Sequence, residues 1–207
     1  MTRARKATYA VEERLAKSDF SDEKKFNLDG SDCYSCYWHK LNENEVTKSK
    51  RNFKGGSVMV WAGFRYLEKL LICFVWTRMN SNDYVSLLGD VLISFLDSYS
   101  EEQYIFQQDN AAIYVPKQNL KWFSDKNITV MPWPACSTDR NPMENLWAVL
   151  ASKVYDKGKQ YSTNFRLKCP IMHAWEKINP DVLKKLIGSM PDRIFGLILQ
   201  RGGHTKY

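Results

Sequence analysis

The sequence predicts a single α/β domain, and three observations carry that prediction. Short β-branched and aromatic runs alternate with segments whose apolar residues recur at helical spacing. Hydrophobic residues make up 44% of the 207, enough for a buried core. No internal repeat or low-complexity linker divides the chain, and its length suits one domain.

Composition narrows the function classes. Thirty Lys and Arg against 23 Asp and Glu give a net charge of +7. That balance favours a polyanionic partner, although it does not by itself name nucleic acid. The cysteines number five, an odd count, and the opening MTRARKATYAVEERLAK is too charged for a secretory signal core. A reducing compartment is therefore expected rather than a disulfide scaffold. The longest apolar run, residues 70–76, is far too short to span a bilayer, so a soluble intracellular protein with no membrane partner is expected.

Taken in order, residues 1–19 form a basic lead-in with a short helix around 11–16. In SDEKKFNLDGSD (21–32), Phe26 and Leu28 alternate with polar residues before Asp29-Gly30, which reads as a strand and turn. Cys33, Cys36 and His39 have the spacing of part of a zinc site, but a structural site needs four ligands and no second pair follows. An aromatic strand with incidental thiols accounts for them. Residues 40–54 read as an exposed loop, whose Lys48, Lys50, Arg51 and Lys54 could touch phosphates, although a solvated loop is the default reading.

SVMVWAGF (57–64) has the continuous apolar character of a buried strand, and LLICFVW (70–76) reads as a second. Asn82 and Asp83 can cap a helix with Tyr84, Leu87, Leu88, Val91, Leu92, Phe95 and Leu96 on one face. Tyr104-Ile105-Phe106 then forms a strand that ends in Gln107, Gln108, Asp109 and Asn110. A helix over 116–126 and a short strand over 128–133 follow. Asn141-Pro142 is a helix start, with Asn at the cap and Pro in the first turn, and Met143, Leu146, Trp147, Leu150 and Val154 make its apolar stripe. Asn179-Pro180 starts another helix, Pro191 breaks it, and Ile194, Leu197 and Ile198 mark a last one.

Three acids fall at informative places: Asp22 at the start of the sheet, Asp109 at a strand end and Glu144 in the first turn of a helix. Open α/β sheets place their chemistry at the carboxyl ends of strands, although an acid there is often an ordinary loop residue. Three converging carboxylates repel one another and need cations to stay ionised together. Mg²⁺ suits such oxygen ligands while keeping positions open for phosphate and water. Two ions roughly 3.5–4 Å apart can activate an attacking oxygen and stabilise a leaving one. A basic protein with that site fits a phosphodiester-cutting or strand-transfer enzyme.

Several blocks then support a resemblance: SDEKKFNLDGSD, GGSVMVWAGF, RMNSNDY (78–84), FQQDN (106–110), WPACSTDRNPMENLW (133–147), SMPDR (189–193) and the terminal GGHTKY. Their kind and order resemble the catalytic domain of Tc/mariner DNA transposases, in the Tc branch, over residues 18–207. The resemblance implies an RNase H-like fold, a mixed central β-sheet flanked by α-helices. It implies a catalytic and metal-binding triad of Asp22, Asp109 and Glu144, the last two with 34 residues between them. It further implies two Mg²⁺ or Mn²⁺ ions, cleavage at transposon ends and strand transfer into target DNA. A homodimer in a DNA complex, nuclear localisation and DNA contacts from Lys48, Lys50, Arg51, Lys54 and Asn110 complete these expectations.

The domain reading places a basic remnant or linker at 1–19 and the catalytic domain at 20–207, with the family's helix-turn-helix modules missing. Lys17-Ser18-Asp19 is polar where the family has an apolar first strand, so a charged residue without a ready partner is expected there. Ala112, Tyr114, Thr138, Arg140 and residues 64–69 also depart from the family pattern. Together they read as drift in an unselected copy that keeps its triad. The competing reading is a non-catalytic, transposon-derived nucleic-acid-binding module. A stand-alone nuclease for RNA–DNA hybrids is disfavoured, because the blocks point to the transposase branch.

Overall fold

The computed structural model describes residues 14–31, 56–77, 79–99, 105–109, 117–133 and 140–199. Among these residues, five strands form one sheet in the order β3-β2-β1-β4-β5. They are β1 (Ser18–Asn27), β2 (Ser57–Phe64), β3 (Cys73–Val75), β4 (Ile105–Gln107) and β5 (Thr129–Val130). β1, β2 and β3 pair antiparallel, whereas β4 runs parallel to β1 and β5 parallel to β4. The sheet is therefore mixed.

Helices cover both faces. The element α1 (Ser81–Leu88) continues through a π-helical stretch, Gly89–Ile93, into Ser94–Leu96. Further α-helices among the described residues are α2 (Lys117–Asp125), α3 (Pro142–Val154), α4 (Asn164–Glu176), α5 (Pro180–Gly188) and α6 (Met190–Leu199). Alternation along β1 separates two cores. Phe20 and Phe26 point into one, with Val58, Val60, Met143, Leu146, Trp147, Leu167 and Leu183. Phe106 and Trp61 belong to the other, with Tyr84, Leu88, Leu92 and Phe123. Among the described residues, no helix is long and apolar enough to cross a membrane.

Most elements follow their sequence signals. Asn141 caps α3 by accepting from the Met143 N–H at 3.1 Å, and Asn179 caps α5 in the same way. The α1 cap is Asn80 rather than Asn82: its side chain accepts from the Asn82 and Asp83 N–H groups, and Asp83 returns a bond to its backbone. The strand at 70–76 shrinks to Cys73–Val75, because Leu70 and Leu71 lie in the connection from β2. The strand at 128–133 shortens to Thr129–Val130. Pro191 lies in the first turn of α6, so it opens a helix rather than only ending one.

The start of β1 departs from the sequence expectation in an instructive way. Asp19 is buried in a central strand, as feared, yet it has a partner. Arg65, just past the end of β2, donates from Nε to Asp19 Oδ1 at 2.8 Å and from Nη2 to Oδ2 at 2.6 Å. The guanidinium also lies over the Phe95 ring, 4.9 Å from its centroid. Burial raises the Asp19 carboxyl, and the Arg65 charge opposes that rise. The pair ties β1, which carries Asp22, to the segment that follows β2, and Asp19 itself stands opposite Phe106 on β4. Gly63, paired with Ser21, makes room for this packing, since a Cβ there would lie 3.0 Å from the Phe20 carbonyl oxygen.

Removing one half of this pair strands a buried charge. Arg65→Met is expected to destabilise the domain by ~3–5 kcal/mol. The double variant Asp19→Leu/Arg65→Met is expected to recover most of that loss, as measured by urea unfolding.

Candidate active site

The site is built around the middle of β1. Its residues Ser21 and Asp22 face neighbours on both sides. Ser21 makes three bonds that tie together three elements. Its N–H donates to Gln107 Oε1 at a long 3.4 Å, and its hydroxyl to the Gln107 carbonyl at 2.8 Å. Its carbonyl accepts from Asn141 Nδ2 at 3.3 Å. All three participants are buried. Each also stands close in sequence to one predicted acid: Ser21 precedes Asp22, Gln107 lies two residues before Asp109, and Asn141 lies three before Glu144.

Asp22 points to the α3 side of the sheet. Trp147 donates from Nε1 to Asp22 Oδ2 at 3.1 Å, one helical turn beyond Glu144. Burial pushes the Asp22 carboxyl up to about 7, and the Glu144 charge adds to the rise. Those two acids are thus electrostatic neighbours. Asp109 lies two residues past the end of β4, whose last residue, Gln107, pairs with Phe20 on β1. Asp109 therefore leaves the sheet from the strand beside the one that carries Asp22. Among the described residues, however, no three His, Cys, Asp or Glu side chains are gathered tightly enough to hold an ion. The structure joins Asp22 to Glu144 and leaves Asp109 outside a closed cluster.

Lys48, Lys50, Arg51, Lys54 and Asn110 lie outside the described residues, as do Cys33, Cys36 and His39, and Ala112, Tyr114 and Thr138. Arg140 is described, at the approach to the α3 cap. The donor set at the site fits a hard divalent cation. It is all carboxylate oxygen, and ionising Asp22 beside Glu144 is costly until a positive charge lies between them. Sequence reasoning missed Ser21, Gln107 and the polar role of Trp147. Only Trp147 had a legible signal, its spacing of three residues from Glu144.

The family model described as DDE superfamily endonuclease matches residues 19–168. The chain belongs to that family, in the Tc branch of the Tc/mariner transposases. It is 45% identical over 192 residues to the Tc3 transposase of Caenorhabditis elegans, covering 93% of this chain and 58% of that protein. To the Tc1 transposase of the same organism it is 31% identical over 196 residues, covering 93% and 71%. The chain thus spans little more than half of the Tc3 transposase. Among solved structures, the catalytic domain of Mos1 mariner transposase superposes with a TM-score of 0.74 over 97% of this chain and 89% of that one, at 15% identity. A pre-cleavage Mos1 transpososome gives 0.82 over 97% and 60%, at 16% identity. These likenesses show that this transposase-family chain has the RNase H-like fold.

The raised Asp22 carboxyl sets a pH dependence. Its folded value lies above the unfolded one, so its contribution to stability is full below pH ~4 and is lost as pH rises through about 7. In metal-free buffer at pH 8.5, Asp22→Asn is expected to be more stable than the parent by ~1–3 kcal/mol, allowing for partial solvent access. At pH 4 the difference is expected to vanish. Paired thermal melts in EDTA at the two pH values check this.

Proposed function

We propose that this chain is the catalytic part of a cut-and-paste DNA transposase, with Asp22, Asp109 and Glu144 as its catalytic and metal-binding acids. The observation that carries the reading is the Ser21 junction, which ties β1, β4 and the start of α3 at the positions beside these acids. Membership of the DDE endonuclease family supports the reaction class. Mos1 structures solved with Mg and with Mn support the choice of ion, and a Mos1 paired-end complex with a transposon end supports DNA as the partner. Two ions, a dimer on DNA and a nuclear location belong to the same proposal.

In this mechanism the bound ions supply Lewis-acid polarisation of the phosphodiester and of the attacking oxygen. The chain's part is geometric and electrostatic. Asp22 is presented on a central strand and held by the Trp147 indole. Glu144 is placed by the capped first turn of α3, whose Asn141 is fixed to β1. Asp109 follows β4, the parallel neighbour of the strand that carries Asp22. The positive balance of the chain favours approach of DNA.

The test is cleavage of a short duplex bearing the element's terminal repeats, with Mn²⁺ present and then chelated. Cleavage is expected to require the ion and to fall at least ~10²-fold in Asp109→Asn, as for loss of a group acting chiefly in the transition state. Activity that survives Asp109→Asn would sink the assigned mechanism. Metal-independent binding that weakens steeply with salt, without cleavage, would favour the non-catalytic module instead.

A further inference from the structure

Gln107 is buried completely, and its Nε2 has no hydrogen-bond partner among the described residues. An amide donor left in this state costs ~1–3 kcal/mol. The orientation is not arbitrary. Oε1 accepts from the Ser21 N–H, and turning the amide over would set one N–H against another. The backbone of Gln107 is held as well, its carbonyl accepting from the Ser21 hydroxyl at 2.8 Å. The side chain is thus anchored at one end with its donor unspent.

Its place in the sheet says where the donor lies. Gln107 pairs in register with Phe20, so both face the α3 side, as does Asp22 two residues further along β1, while Asp109 follows two residues after Gln107. Its acceptor bond reaches Ser21, one residue beyond Phe20, so the carboxamide leans towards the carboxyl end of the strands. An apolar residue of the same size would fill this spot without an orphaned donor.

We propose that Gln107 is a positioning residue of the carboxylate site, its Nε2–H donating to a carboxylate oxygen of Asp109 when a divalent cation draws Asp109 in beside Asp22. This rests on the reading of the three acids as metal ligands. Gln107 then fixes the carboxylate through the oxygen the ion leaves free, as outer partners of metal ligands commonly do.

The test compares the full chain with Gln107→Met, which keeps bulk, removes the Nε2 donor and the long Oε1 bond, and leaves the backbone bond to the Ser21 hydroxyl. Mn²⁺ affinity is measured by electron paramagnetic resonance, and metal-free stability by thermal melting in EDTA. The expected result is Mn²⁺ binding weakened ~10-fold or more, with metal-free stability little changed, because the unpaired Nε2 and the long Oε1 bond to the Ser21 N–H are lost together. Unchanged Mn²⁺ affinity overturns the proposal, and so does an affinity loss that merely tracks lost metal-free stability. A parent protein that binds no Mn²⁺ overturns the metal-site reading itself, and the proposal with it. Should Gln107→Met fail to fold, the parent decides by NMR. Mg²⁺ is expected to shift the Gln107 side-chain amide signals and slow their exchange, and a Mg²⁺-bound protein in which they stay still contradicts the proposal.

Discussion

Everything in the candidate site depends on the three bonds made by Ser21. A central strand, its parallel neighbour and the first turn of a helix meet at this one residue. Each partner carries an acid within three positions along its own chain. Carboxylates do not gather unaided, because their charges repel and each loses hydration on approach. Neutral hydrogen bonds one step behind the acids can hold the backbones in place without joining that repulsion. The scaffold is thereby fixed while the acids remain available to a cation.

The second constraint lies one layer deeper. Asp19 and Arg65 break the apolar pattern at two places far apart in sequence, and each alone looks like damage. In space they form one bidentate ion pair, capped by Phe95. A buried pair of this kind contributes little net stability over apolar residues, but loss of either member is severe. The two departures are therefore coupled, which argues against reading them as independent drift.

Much of this was legible in the sequence because it rests on local signals. Asn141-Pro142 fixed the start of α3, and the apolar run 57–64 fixed β2. The acids themselves stood out through type and spacing. What could not be read are pairings across long sequence separation. Nothing near Asp19 points to Arg65, 46 positions away, and nothing near Ser21 points to Asn141, 120 positions away. Trp147 looked like core, and it is core, yet its indole N–H serves Asp22. A side chain with an apolar body and a polar tip fills both roles at once. Strand length also escaped: only Cys73–Val75 and Thr129–Val130 pair with their neighbours, although the apolar runs around them are longer.

The most direct test of the central claim is anomalous diffraction from crystals of this chain soaked in Mn²⁺. The predicted result is anomalous density between the carboxylates of Asp22, Asp109 and Glu144, with Asp109 drawn towards Asp22 and the Ser21 bonds intact. Density held by other residues, or none beside Asp22 when the ion binds in solution, would contradict it.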